Sequence, residues 1–203
     1  MADTLAPQTY LITPPEFELS SFTKMLSRIL DARPVACVRL ALTTRDTDRL
    51  TRAADALRDV TTERDVALVI ADHVGLAERL GLDGVHLDGT RSVRSARKAL
   101  GADAIVGSYC GASRHDGITA GEAGADYVAF GPLTGTALGD GQVAEPETFA
   151  WWSEMIELPV VAEGGLDQER VKTLWEIADF FAFGEEIWQA EDPLAALDRL
   201  LTR

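Results

Sequence analysis

Five acidic residues stand at positions where they could do chemistry. Asp72 closes the apolar run Leu68-Val-Ile-Ala, and Asp88 closes Gly84-Val-His-Leu. Glu163 follows Pro159-Val-Val-Ala, and Glu185-Glu186 follows Phe180-Phe-Ala-Phe-Gly. Carboxylates that converge can hold a divalent cation. Two that share a site push their pKa values apart and so supply an acid and a base. The basic groups that could act with them are Arg39, in Cys37-Val-Arg-Leu, then Arg91 and the histidines. Three arrangements are open on these residues alone: a metal or cationic ligand among the carboxylates, structural ion pairs with arginine, or separate solvated loop charges. His86 lies inside an apolar run, where a hydrogen-bonded core histidine is expected. His73 follows Asp72 and could reach the same place. Asp72, His73 and His86 lack the close spacing of a transition-metal site, and His115 reads as a surface helix residue.

The acids fall where they do because apolar, β-branched runs recur along the whole chain. They span Thr9–Thr13, Val35–Leu42, Val66–Ala71, Gly84–Leu87, Ala104–Cys110, Tyr127–Pro132, Pro159–Ala162 and Phe180–Phe183. Between them lie stretches with apolar residues three and four apart: Ser20–Leu30, Asp46–Val60, Val74–Leu80, Ser92–Leu100, His115–Ala123, Pro146–Ile156, Asp167–Ile177 and Asp192–Leu201. Short continuous apolar runs alternating with amphipathic helices are the pattern of buried parallel strands covered by helices. Eight such units predict a single (β/α)₈ TIM barrel over residues 1–203, with the acids at the C-terminal strand ends where barrel sites form. A doubly wound open sheet is the alternative, but no Gly-x-Gly-x-x-Gly follows the first strand, which ends in Thr13-Pro14-Pro15.

Local punctuation agrees. Ser92, Asp167 and Asp192 stand at expected helix N-caps, and Asp72 could cap the helix that follows it. Gly81, Gly101 and Gly124 stand where helices end. A composition 46% hydrophobic suits one sizeable core. No apolar run approaches the roughly 20 residues that span a membrane, and no charged segment leads an apolar one at the N-terminus. These features make the expected location cytoplasmic. A net charge of −14 argues against nucleic acid and anionic membrane as partners. Cys37 and Cys110 are too few for a disulfide framework and read as buried small residues. Trp151 and Trp152 cannot share one face of a helix, so one ring is left for solvent or for a second copy in a homodimer.

Four segments, in this order, resemble the thiamine phosphate synthase and thiazole tautomerase superfamily: Leu68-Val-Ile-Ala-Asp72, Gly84-Val-His-Leu87, Gly124-Ala-Asp-Tyr-Val-Ala-Phe-Gly-Pro132 followed by Thr136, and Pro159-Val-Val-Ala-Glu-Gly-Gly-Leu166. The resemblance covers roughly residues 9–200. It implies a (β/α)₈ barrel and, for the synthase, the joining of an aminopyrimidine diphosphate to a thiazole phosphate with Mg²⁺ and release of pyrophosphate. It places Asp72 on the metal-binding aspartate and Gly164-Gly165 on the phosphate-binding glycines. Gly184 belongs to the same phosphate loop, and Thr136 falls on a threonine after the sixth strand.

Other family positions are changed. Arg39, Ala41 and Thr43 stand where the family has Gln-x-Arg-x-Lys, so Arg39 is the candidate to replace the missing cations. The second metal aspartate aligns with Arg91, which leaves Asp88 as the candidate second ligand. Tyr109 replaces a serine after the fifth strand, Glu185 replaces the serine of the last phosphate loop, and the second threonine and lysine of the Thr136 loop are absent. The histidine of the tautomerase branch is missing from Ser108-Tyr-Cys-Gly111. The resemblance therefore implies a divergent synthase-like protein of thiamine metabolism, in which Glu185 would oppose a bound phosphate. The alternatives are a barrel that binds a metabolite or a partner without catalysis, and an enzyme of other chemistry built on the acidic mouth.

Overall fold

The structure is a computed structural model that describes residues 6–135 and 142–202. Its first half runs β1 (Gln8–Ile12), α1 (Leu19–Ala32), β2 (Cys37–Leu40), α2 (Thr47–Thr62), β3 (Ala67–Ala71), α3 (Val74–Leu80), β4 (Gly84–Leu87) and α4 (Val93–Leu100). The second half runs β5 (Ile105–Tyr109), α5 (Arg114–Glu122), β6 (Tyr127–Phe130), α6 (Pro146–Met155), β7 (Val160–Glu163), α7 (Gln168–Leu174), β8 (Phe180–Phe183), α8 (Glu185–Trp188) and α9 (Pro193–Leu201). The strands pair in parallel in chain order, and β8 pairs back onto β1, which closes the barrel. The open-sheet alternative is thereby excluded. The short helix α8 was not foreseen.

Each strand is buried on both faces, so it separates two apolar layers. Leu11, Val38, Leu68, Val85, Val106, Val128, Val160 and Phe181 point outward into the layer beneath the helices. Tyr10, Cys37, Val69, Tyr109, Tyr127, Val161 and Ala182 point into the barrel. Full burial of each Val or Leu contributes about 1.5–3 kcal/mol. Among the described residues, no helix is long and apolar enough to cross a membrane.

The N-terminal rim carries a repeated device. Asp83, Asp126 and Asp179 each precede an even-numbered strand, and each accepts a bond from the start of the strand before it. The donors are the backbone N–H groups of Leu68 at 2.6 Å, Val106 at 2.7 Å and Val160 at 2.7 Å. These bonds satisfy backbone N–H donors at the strand starts.

Helix punctuation largely follows the sequence. The Asp167 and Asp192 side chains cap α7 and α9, and Asp46 caps α2. Gly81 takes the left-handed conformation at the end of α3, with φ 62°. Ser92 holds the N-cap position of α4, as expected, without a side-chain bond there. One expectation fails. Asp72 does not cap α3; His73 holds the cap position, because Asp72 is itself left-handed, φ 57°, and turns toward the next strand. The tryptophan pair divides as its spacing requires. Trp152 is buried and donates from Nε1 to the Leu158 carbonyl at 2.7 Å, while Trp151 is half-buried beneath the Arg114 guanidinium.

Candidate active site at the C-terminal barrel mouth

Parallel strands deliver their last residues to one end, so Asp72, Asp88, Tyr109, Glu163 and Glu185 all open on the same face, as expected. There they divide between two depressions. One, of about 400 Å³, lies over β1, β2, β7 and β8 and includes Arg39, Ala41, Glu163, Gly165, Glu185 and Glu186. The other, of about 940 Å³, lies over β4 and β5 and includes Asp72, Asp88, Arg91, Tyr109 and Gln142.

Arg39 and Glu163 lie on the inward face of their strands, the period-two positions after Cys37 and Val161. Their side chains meet across the barrel. The two guanidinium NH₂ groups donate to the two carboxylate oxygens at 3.1 and 2.5 Å, and both side chains are nearly inaccessible. Burial opposes the Arg39 charge, but Glu163 beside it more than offsets this, so its pKa is raised and the group stays charged. Among the described residues Arg39 Nε has no acceptor, although the guanidinium lies 5.7 Å from the Tyr10 ring centroid. Of the three arrangements the sequence leaves open, this pair realises structural pairing with arginine.

Beneath the pair runs a polar column that sequence inspection missed. The Tyr127 hydroxyl bonds Tyr10 Oη at 2.9 Å and His86 Nδ1 at 2.9 Å. Burial, and then the Arg39 charge, push His86 well below the usual histidine pKa, so the imidazole is neutral at pH 7. Burial also raises both tyrosines and pushes the Cys37 thiol up to about 12. His86 is thus a core histidine whose imidazole bonds Tyr127 inside the barrel. The clue was available in the inward register shared by Tyr10, Arg39, His86, Tyr127 and Glu163. Their pairing was not.

The β7 and β8 ends form a cradle of backbone donors. Gly164 and Gly165 have φ of 83° and 79°, a conformation that suits glycine. A Cβ on Gly165 would stand 2.1 Å from Thr134 Cγ2. The group facing these donors is Glu186. Its Oε1 accepts from Gly165 N at 2.8 Å and Leu166 N at 3.2 Å, and its Oε2 accepts from Gly184 N at 2.8 Å. Glu185 is exposed on the rim of the same pocket. The carboxylate that faces the phosphate loop is therefore Glu186 and not Glu185, because the one turn of α8 rotates the second of the two acids inward.

On the larger cleft, Asp72 Oδ1 accepts from the Asp88 backbone N–H at 2.8 Å, which ties the β3 and β4 ends together. Both aspartates are exposed. Tyr109 is buried and donates its hydroxyl to the Gly131 carbonyl at 2.5 Å. Arg91 is exposed on the same cleft. His115 is exposed on α5. Ala41 lines the smaller pocket, whereas Thr43 is exposed and bonds the Pro15 carbonyl through its hydroxyl at 3.3 Å. Thr136 lies outside the described residues. Among the described residues, no three His, Cys, Asp or Glu side chains converge as a ready metal cage.

A closed (β/α)₈ barrel with glycine donors at its seventh and eighth strand ends defines the class of barrels built around phosphate-loop geometry. Comparison with known proteins narrows this. A sequence model of the family described as thiamine monophosphate synthase matches residues 9–187. Thiamine-phosphate synthase of Rhodospirillum centenum is 44% identical over 182 residues, covering 88% of each chain. That of Erythrobacter litoralis is 40% identical over 205 residues, covering 96% of this chain and 95% of its own. Among solved structures, thiamine phosphate pyrophosphorylase from Pyrococcus furiosus superposes with a TM-score of 0.81 at 25% identity, covering 95% of this chain and 93% of its own. The chain belongs to the thiamine monophosphate synthase family.

Proposed function

We propose that this chain is a divergent family member in which the coupling of an aminopyrimidine diphosphate to a thiazole phosphate is very slow or lost. In that reaction pyrophosphate departs as a carbocation-like pyrimidine forms. The thiazole nitrogen then takes up the cationic carbon. Catalysis rests on stabilising the departing polyanion and on holding the nucleophile in line.

The observation that carries the proposal is the Arg39–Glu163 pair. Arg39 is the cation expected to replace those missing from the second strand, and both of its NH₂ groups are engaged by a buried carboxylate. Its charge is matched by Glu163 and its side chain is nearly inaccessible, so it offers pyrophosphate little. With Ala41 and Thr43 at the other two positions, two charge-assisted contacts worth about 1.5–3 kcal/mol each are missing. If both act mainly in the transition state, the step slows by roughly 10²–10⁴-fold.

For Mg²⁺ the larger cleft offers Asp72, on the family's metal aspartate, and Asp88 as the candidate second ligand in place of the position held by Arg91. One or two carboxylates are what this ion takes from protein when a diphosphate supplies further oxygens. Asp72 and Asp88 meet that number at neighbouring strand ends, and the Asp88 backbone N–H fixes the Asp72 side chain by donating to its Oδ1. They would hold the ion, which when bound offsets charge on the leaving group. Tyr109 and Arg91 would border the same ligand.

The test is a turnover assay with both phosphorylated substrates and Mg²⁺, alongside the Rhodospirillum centenum relative. The expected rate is at least about 100-fold below that relative, the lower end of the estimate above. Equal rates would overturn the proposal. The second reading, a barrel that binds a thiamine-related metabolite without turning it over, is favoured by the occupied glycine cradle.

A further inference from the structure

Gly165, Leu166 and Gly184 aim three backbone N–H groups at one point, and the chain itself supplies the anion that sits there. Converging N–H groups in a glycine-rich loop form an anion-binding concavity. A carboxylate with three N–H bonds fills the place that two or three phosphate oxygens would take. A phosphate monoester would first have to displace Glu186. It would then share a pocket of about 400 Å³ with Glu163, Glu185 and the displaced Glu186, of which the Arg39 charge balances one. The rest of the lining is largely apolar, including Ile12, Pro15 and Ala182. A hydroxyl-ended ligand meets none of this opposition, because it leaves Glu186 seated and can donate to a carboxylate oxygen.

We propose that Glu186 is the specificity-determining residue of this pocket, a built-in anion that makes it select an uncharged, hydroxyl-ended heterocycle over the corresponding phosphate monoester. The proposal rests on the family assignment only for the choice of heterocycle. It does not depend on whether coupling is slow.

The experiment is calorimetric titration of thiazole alcohol and thiazole phosphate into the native protein and into Glu186→Ala. The native protein is expected to bind the alcohol at least about tenfold more tightly than the phosphate, and Glu186→Ala to reverse the order. In parallel, inorganic phosphate should shift the Gly165 and Gly184 amide resonances of Glu186→Ala and leave those of the native protein in place. If Glu186→Ala does not fold, the same ratio is read on Glu186→Gln, which keeps the side-chain volume and removes the charge. A native protein that prefers the phosphate ester, or binds no alcohol, overturns the proposal. So does an alcohol-to-phosphate ratio that changes less than tenfold in the variant. Rapid coupling by a native protein that still prefers the alcohol would sink the slow-turnover reading alone. Tight phosphate binding without turnover would sink this one alone.

Discussion

Replacing Glu163 by glutamine should destabilise the barrel by about 3–5 kcal/mol, the usual cost of breaking a buried ion pair from one side. The arithmetic starts from the contact. Guanidinium and carboxylate touch at 2.5 and 3.1 Å, so their charge centres lie about 4 Å apart, which at an effective dielectric near 20 is about 4 kcal/mol. Burial of both side chains leaves little solvent screening to discount. The glutamine amide keeps one acceptor, but its NH₂ faces a guanidinium NH₂. Arg39 Nε already lacks an acceptor among the described residues, so none of them compensates. The Tyr10 ring remains over the guanidinium and returns about 1–2 kcal/mol at most. The assay is urea unfolding followed by circular dichroism, on Glu163→Gln, Arg39→Met and the double variant Arg39→Met/Glu163→Leu. The double variant removes both charges together and should cost far less than the sum of the single losses. A Glu163→Gln cost below about 1 kcal/mol, or additive losses in the double variant, would refute the view of the pair as a mutually dependent buried unit.

Two further outcomes follow from the interior and the cradle. His86 is held well below its unfolded pKa of about 6.5, so the unfolded chain binds a proton there that the folded one does not. Its contribution therefore makes stability fall as pH drops below about 6.5, by up to about 1.4 kcal/mol per pH unit, and unfolding midpoints of His86→Gln measured from pH 7.5 to 5 should lose that slope relative to the native protein. Gly165→Ala should lower the melting temperature by several degrees, through a positive φ and a Cβ placed 2.1 Å from Thr134 Cγ2, whereas an unchanged melting temperature would mean that the loop relaxes freely.

The barrel was legible because the physics that builds it is local. A parallel strand buried on both faces must be apolar throughout, and eight such runs alternate with helical periodicity in plain view. The acidic mouth was legible for the same reason, since strand C-termini share one face. What each acid does there was not legible. Glu163 meets Arg39 across 124 residues of sequence, a pairing set by strand stagger that no local pattern records. Glu185 and Glu186 are adjacent, and which one enters the cradle depends on the phase of a single helical turn. Asp72 reads as a cap because aspartate caps helices, yet a left-handed backbone at that residue sends its side chain to the neighbouring strand. The Tyr10, His86 and Tyr127 column escaped notice because aromatic and histidine residues inside strands look like ordinary core until the register pairs them.

The partners in the barrel's interior also have an allegiance. Tyr10, Arg39 and His86 come from the first four strands, and Tyr127 and Glu163 from the last four. The three pairs Tyr10–Tyr127, His86–Tyr127 and Arg39–Glu163 thus all run between the two half-barrels. Cut between β4 and β5, the chain would give one half with an arginine lacking its counter-charge and another with a glutamate lacking its own. The apolar layers could in principle be recovered by pairing either half with a copy of itself, because Val and Leu accept any apolar neighbour. The polar interior could not, since two copies of the first half bring arginine to arginine and two copies of the second bring glutamate to glutamate. The centre of this barrel is a lock with two unlike parts, and it admits a single assembly of its halves.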